Sequence, residues 1–172
     1  MPSLAATHPI IVHFAIALLV AGAGFRWLSL TRRVPFASPA AASLLLVGTM
    51  AAVLAVKSGT DAHGPVERIP GVVDAVMSHE HWGERARNVF IAVALAELAI
   101  LVLARRGRER VAVIASAVLC VPAVFCLYEA GEHGGDLVYS YAGGPGLRTG
   151  KPEDVGRLLV AGVYNQAQAD RK

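Results

Sequence analysis

Four stretches of apolar residues, each close to the length that crosses a bilayer, constrain the fold of this chain more than any other feature. They run over Ile10 to Leu30, Ala40 to Val56, Val89 to Ala104 and Val111 to Tyr128. A helix needs about 20 such residues to span the hydrocarbon core. Helices of a soluble bundle carry a polar stripe, and the central turns of the first, second and fourth stretches have none. The sequence therefore predicts an all-α integral membrane protein, a bundle of four transmembrane helices.

The composition supports the same class. Apolar residues make up 55% of the chain and charged residues 17%, below the roughly one quarter that soluble domains carry. The net charge is +3, but the basic residues are scattered without aromatic residues between them, so no nucleic-acid partner is expected. The predicted partner is the lipid bilayer. No Lys or Arg precedes the first apolar stretch, so we expect that helix to be retained rather than cleaved as a signal.

The chain divides into a predicted four-helix transmembrane domain, residues 1–147, and an extramembrane tail, residues 148–172. In the tail, apolar residues recur at helical spacing at Val155, Leu158, Leu159 and Val163. This favours a short amphipathic helix on the outer surface, with a mobile tail as the alternative.

Several residues mark where the helices begin or bend. Pro9 and Pro39 suit the first turns of the first two helices, where a missing amide proton costs nothing. The third helix is predicted to begin near Trp82 or Glu84, ahead of its apolar stretch. Pro122 is expected to kink the fourth helix.

The basic residues of the short connections predict the orientation, because Lys and Arg near helix ends tend to stay in the cytoplasm. The first connection holds Arg26, Arg32 and Arg33, and the third holds Arg105, Arg106, Arg108 and Arg110. Both termini and the connection from Lys57 to Asn88 then lie outside, where every acidic residue except Glu97 and Glu109 falls. We predict a multi-pass protein of the bacterial inner membrane, with both termini in the periplasm.

With this topology, every histidine lies toward the outer face. They are His8 and His13 in the first helix, His63 after the second, His79 and His81 before the third, and His133 after the fourth. This clustering indicates a ligand site near the outer face of the membrane.

His13 lies about one and a half turns deeper than His8, well within the apolar stretch. A buried imidazole needs a partner for its polar nitrogens, so it is expected either to bond to a neighbouring helix or to ligate a metal. The step from His8 to His13 turns through about 140°. The two histidines are therefore not expected to bind the same small ion.

Carboxylates beside the histidines leave a metal-ion site open. If the fourth helix continues far enough, Glu129 and His133 share a face. Imidazoles with carboxylates can bind zinc, copper or a pair of iron ions. The ligands predicted for such a site are His13 and His133, with further candidates at His81, His63, Glu129 and Glu84.

A b-type haem is the other candidate, because two imidazoles from facing helices can ligate one haem iron. The cofactor-binding residues predicted for it are His8, His13, His79 and His133, with His13 and His133 as the first pair and His8 and His79 as the second. Small residues in the first helix would leave room for a flat macrocycle, although they equally suit close helix packing: Ala15, Ala17, Ala21, Gly22 and Gly24.

Glu97 is the one acid within the predicted spans, where a carboxylate is costly unless it is protonated or paired. We expect a protonated side chain that bonds between helices or contacts a partner subunit, with a proton relay as the alternative. Cys120 and Cys126 lie in one apolar stretch and are expected to be unpaired core residues.

Motifs along the chain resemble a known family. His8-Pro9-Ile10-Ile11-Val12-His13-Phe14-Ala15-Ile16-Ala17-Leu18-Leu19 is similar to the opening HP-x-x-VHF-x-IALL of domain-of-unknown-function family 2231, a family of bacterial membrane proteins, although Ala15 stands where proline is common. Further similar motifs are Ile69-Pro70-Gly71, His79-Glu80 with Gly83-Glu84, His133-Gly134-Gly135-Asp136-Leu137-Val138-Tyr139, and Gly143 to Gly146.

The resemblance covers residues 8–146 and implies four membrane helices whose motif histidines are His8, His13, His79 and His133. It also implies a redox setting with cytochrome c or iron–sulfur partners. The leading hypothesis is therefore a haem b electron-transfer protein or respiratory-complex subunit, which exchanges electrons with a quinone or another membrane partner and works alone or as an oligomer. The alternative is a non-redox metal-binding or structural membrane protein. No nucleophile motif, phosphate loop or zinc-protease signature indicates a stand-alone enzyme.

Overall fold

The computed structural model describes residues 4–67, 71–104, 107, 109–141 and, in the tail, 156, 159–160, 162–163, 166–167 and 170. Its helices are α1 (Leu4–Ser29), α2 (Ala37–Thr60), the single turn α3 (His63–Val66), α4 (Val73–Ala104) and α5 (Arg110–Tyr139). The four long helices are each long and apolar enough to cross a membrane. This confirms the predicted all-α fold with four spans.

The start of α4 differs from the prediction. The helix begins at Val73 rather than near Trp82 or Glu84, so His79 and His81 lie inside it rather than before it. The apolar stretch marks only the part within the hydrocarbon, and the backbone hydrogen bonds of a helix continue outside it through polar residues. The first turns of α4 therefore extend beyond the apolar stretch at one end of the bundle.

The prolines lie close to their predicted places. Pro39 falls in the first turn of α2, as predicted, and Pro122 lies within α5. Pro9 does not open α1, because that helix begins at Leu4, one turn earlier. As in α4, the helix continues beyond its apolar stretch, so the sequence placed the start of α1 too late.

The four long helices run up and down in an antiparallel bundle. α1 packs along α2 and α4 along α5, while smaller contacts join α2 to α4 and α1 to α5. Helices α1 and α4 are thus diagonal partners across the bundle. Their N-terminal ends lie at the same end of the molecule, since His8 of α1 contacts His79 of α4 there.

The core between the helices is narrow and built from few large side chains. Leu19, Leu45 and Phe90 are fully buried at its centre. A methyl group added at Gly22 would lie 2.8 Å from Leu45 Cγ, so this glycine serves the close approach of α1 to α2. Cys120 and Cys126 are free and buried, which confirms their prediction as core residues.

A charged pair joins the diagonal helices at the other end of the bundle. Arg26 and Glu97 are both 0% exposed. Arg26 Nε donates to Glu97 Oε1 at 2.8 Å and a second guanidinium nitrogen donates to Oε2. Glu97 also accepts from the Ser116 hydroxyl, and the remaining Arg26 donors reach Ser29 and Ser38.

One expectation about these residues was wrong and another was confirmed. Arg26 is a buried residue of α1, not part of a connection, because the helix continues to Ser29. Glu97 bonds between helices, as expected, and its partners are Arg26 of α1 and Ser116 of α5. A buried arginine keeps its charge, so it needs a carboxylate beside it.

Parts of several predictions lie outside the described residues. These parts are Arg105, Arg106, Arg108, Val155, Leu158, Ile69, Pro70 and the residues 143–146. In the tail, residues 156, 159–160, 162–163 and 166–167 are helical, and Val163 is exposed. The domain boundary and the side of the membrane that each end faces remain predictions.

Candidate functional site: an imidazole pair at one end of the bundle

His8 and His79 face each other across the diagonal of the bundle, and we call them the imidazole pair. Their ring centroids are 6.3 Å apart and the ring planes are inclined by 81°. Both side chains are partly buried. Because α1 and α4 are diagonal partners, the two rings meet near the middle of the bundle end rather than on its rim.

The His8 ring is held by α2, the helix that packs along α1. Nδ1 lies 3.0 Å from the Ala55 carbonyl and 2.9 Å from the Ser58 hydroxyl. The Ser58 hydroxyl itself donates to the Ala55 carbonyl, so it can accept from the imidazole. Gly59, one turn beyond Ala55, lies against the His8 ring. A methyl group at this position would be 3.1 Å from His8 Cε1.

The His79 ring is held by α5 in the same manner. Its Nδ1 lies 2.9 Å from the Ala130 carbonyl. Gly134, one turn beyond Ala130, comes so close that an added methyl group would be 2.9 Å from His79 Cε1. Each member of the pair is therefore fixed by a main-chain carbonyl and a glycine of the neighbouring helix.

These bonds determine which ring nitrogen carries the proton. A carbonyl oxygen only accepts, so Nδ1 of His8 and of His79 must be the donor. In a neutral imidazole the other nitrogen, Nε2, then keeps its lone pair. Both rings thus offer Nε2 to an electron-pair acceptor such as a metal ion.

His63 and His133 lie near the imidazole pair, each beside acidic side chains. His63 has Nδ1 at 3.4 Å from a Glu67 carboxylate oxygen and Nε2 at 3.9 Å from one of Glu80. His133 has Nε2 at 3.9 Å from a Glu129 oxygen within α5, so the expected shared face of Glu129 and His133 is present. Each of these two imidazoles is directed to carboxylates.

His13 does not lie near the imidazole pair. Its side chain is exposed on the outer side of α1, and Nδ1 donates to the Pro9 carbonyl of its own helix at 2.6 Å. It lines a shallow apolar groove with Ile10 and Phe14. The expectation that His13 is buried against a neighbouring helix was therefore wrong, because the side of α1 that carries His13 faces away from the bundle.

The other candidate ligands are also dispersed. His81 is exposed on α4, and Glu84 pairs with Arg87 at 3.3 Å on the same helix. Within the described part of the chain, no group of three or more His, Cys, Asp or Glu side chains is arranged to hold a metal ion. Among the residues that the structure describes, the imidazole pair brings predicted ligands from two helices together.

Sequence reasoning missed the residues that hold the pair. Ser58, Gly59 and Gly134 carry no signal as single residues, and the Ala55 and Ala130 carbonyls belong to the backbone. The motif His133-Gly134-Gly135 predicted that this turn of α5 belongs to the site. The residue of the motif that contacts the pair is Gly134 rather than His133.

The comparisons with known proteins give one match. The family model described as a predicted membrane protein, DUF2231, matches residues 5–145. No match was found among curated proteins or among solved structures. The matched range contains all four spans and the imidazole pair.

Proposed function

The chain belongs to DUF2231, a family of predicted membrane proteins, and for this multi-pass member we propose a b-type haem held between His8 and His79. Bound there, the haem would supply a one-electron redox centre. The observation that carries the proposal is that two imidazoles from diagonal helices meet at 6.3 Å, with Nδ1 of each bonded to a carbonyl.

The hydrogen bonding resembles that of ligand histidines, which supports the proposal. Histidines that bind metals usually donate their second ring nitrogen to a carbonyl or carboxylate, which fixes the tautomer and the ring orientation. His8 and His79 both do so, through Ala55 and Ala130. Neither bond requires a bound group, so both rings are oriented in advance.

The spacing also suits a shared metal centre. Imidazole nitrogens lie about 2 Å from a bound metal, so two rings on one ion have centroids roughly 5 to 6 Å apart. The observed 6.3 Å lies slightly above this range. A small approach of the two rings would bring their centroids into this range.

The number of protein ligands favours haem over a bare ion. Structural zinc takes four protein ligands and catalytic zinc three, whereas the described residues bring two imidazoles together. Haem needs only these two, because the macrocycle supplies the other four nitrogens. Apolar side chains then exclude water: Val72 and Val76 near the pair and Ala15 and Ala86 further in are all buried.

The membrane setting suggests what such a centre would connect. The site lies at the end of the bundle that the arginine pattern predicts to be periplasmic. We propose electron transfer between a membrane quinone and an outer acceptor, of the cytochrome c or iron–sulfur kind, in the bacterial inner membrane. His13 and His133, the first pair expected from the sequence, take no part in the site as proposed.

Titration of the purified full-length protein with hemin tests the proposal. We expect a Soret band that shifts on reduction with dithionite, and its loss in His8→Ala and His79→Ala. His81→Ala is the matched control, because His81 is an exposed histidine on the same helix as His79. It should leave the spectrum unchanged.

Three results would refute this site. The first is a protein that binds no hemin. The second is loss of the band in His13→Ala and His133→Ala but not in the variants of the imidazole pair. The third is a colourless protein with stoichiometric zinc or copper by metal analysis, which would favour the non-redox metal-binding alternative.

A further inference from the structure

The residues that meet across the bundle occupy matched positions in its two halves. His8 and His79 are 71 residues apart, and so are Arg26 and Glu97. The same shift matches further buried residues of α1 and α4: Ala15 with Ala86 and Leu19 with Phe90. The hairpin α1–α2 therefore has a counterpart in the hairpin α4–α5.

The second helices of the hairpins correspond as well. The carbonyl that holds each imidazole is that of an alanine, Ala55 or Ala130, and a glycine follows one turn later, Gly59 or Gly134. With these residues aligned, buried positions of α2 again fall on buried positions of α5: Ala37 on Ala112, Ala42 on Ala117, and Leu45 on Cys120.

We infer that the membrane domain consists of two equivalent helical hairpins about a pseudo-twofold axis along the bundle, that the imidazole pair lies on this axis, and that Gly59 and Gly134 are its matched positioning residues. The inference goes beyond the proposed haem site, and it rests on that proposal only for its cofactor readout.

The two glycines have a specific steric role. A methyl group at Gly134 would lie 2.9 Å from Cε1 and 3.1 Å from Nδ1 of His79, and one at Gly59 would lie 3.1 Å from Cε1 of His8. The contact at Gly134 is closer than carbon atoms approach, so the His79 ring would have to move away from its carbonyl. The contact at Gly59 is tight, so the His8 ring would have to give way by a smaller amount. Each glycine thereby lets an imidazole reach the hydrogen bond that sets its tautomer.

Gly131 and Gly24 provide matched controls. Both lie within transmembrane helices, and an added methyl group at either position would meet nothing within 4 Å. Gly131 is on α5, one turn before Gly134. A change to alanine at these two sites alters helix propensity alone, so it isolates the contact with the ring from the general effect of replacing a glycine.

The first readout is hemin binding to the full-length protein. Gly59→Ala and Gly134→Ala should each weaken binding roughly 10- to 100-fold, the usual effect of disturbing the groups that orient a metal ligand. Gly131→Ala and Gly24→Ala should not. An effect in only one of the two positioning variants would overturn the equivalence of the hairpins.

The second readout needs no cofactor. Nitrogen NMR of histidine-labelled protein without haem should show His8 and His79 with Nδ1 protonated. Gly134→Ala should perturb the His79 signals, Gly59→Ala those of His8, and Gly131→Ala neither. Unchanged ring signals in both positioning variants would overturn the inference. Perturbed signals in a protein that binds no hemin would support the positioning role and refute the haem site.

A suppressor keeps the test decisive if Gly134→Ala fails to fold. In the double variant Gly134→Ala/His79→Ala, the ring that the new methyl group would strike is absent. We expect this variant to fold and to run as a single species in detergent. Misfolding of the double variant to the same degree as the single one would overturn the assigned contact.

Discussion

The buried pair of Arg26 and Glu97 should make the two single replacements costly and the double replacement mild. Glu97 provides the buried guanidinium with two hydrogen bonds and its counter-charge. Hydrogen bonds to charged groups contribute about 1.5 to 3 kcal/mol each, and breaking a buried ion pair costs about 3 to 5 kcal/mol. We expect Glu97→Leu to lower the free energy of unfolding by an amount in this latter range.

The two single variants should also differ. An arginine cannot lose its charge, whereas a glutamate can become neutral by taking up a proton. Arg26→Met should therefore be the less damaging change. In the double variant no charge remains buried, and apolar pairs often replace such ion pairs without loss. Its cost should be smaller than the sum of the single costs by up to about 3 kcal/mol.

Equilibrium unfolding of the full-length protein in mixed micelles, with increasing SDS, measures these differences. Arg110→Met is the matched control, because Arg110 is an exposed arginine at the start of α5. It should change the unfolding free energy by no more than about 0.5 kcal/mol. The reasoning is refuted if both single variants resemble this control, or if their costs simply add in the double variant.

Three other predictions follow from the geometry. With bound haem, the 81° angle between the rings of His8 and His79 should give the highly anisotropic low-spin ferric EPR signal, with one large g value, that perpendicular imidazoles produce. A rhombic signal would contradict this arrangement. The variant Arg32→Cys should react with a membrane-impermeant maleimide only in opened cells, and His81→Cys should react in intact spheroplasts. The reverse labelling pattern would refute the proposed orientation. Trp27→Phe loses the 2.9 Å hydrogen bond from Nε1 to a carbonyl of α5. It should lower the free energy of unfolding by about 1 kcal/mol in the same assay, and an unchanged unfolding midpoint would exclude a contribution from that bond.

The sequence predicted the spans well but not where the helices begin. Apolar length is set by the thickness of the bilayer, so the four stretches had to appear in the chain. The first turns of α4 lie outside that constraint, and their polar residues are equally compatible with a loop. The start at Val73 is decided by packing at the end of the bundle, where Val72 and Val76 are buried.

The candidate site was predictable in kind but not in detail. Spacing indicated that His8 and His13 face different directions, yet it could not tell which one faces the bundle. That choice depends on which helices are diagonal, and a list of spans does not encode their order around the bundle. The partner of Glu97 could not be predicted for the same reason. In addition, Arg26 comes near the end of an apolar stretch, where it resembles a residue of the connection.

Each ring of the imidazole pair is tied within its own hairpin, His8 to α2 and His79 to α5, while the approach of one ring to the other depends on α1 and α4. Helices that leave the ribosome in this order can form each half separately, with its histidine already in one tautomer. Only the docking of the halves within the bilayer then brings the two rings together, as it does Arg26 and Glu97, so the site is completed when the halves join rather than when either half folds.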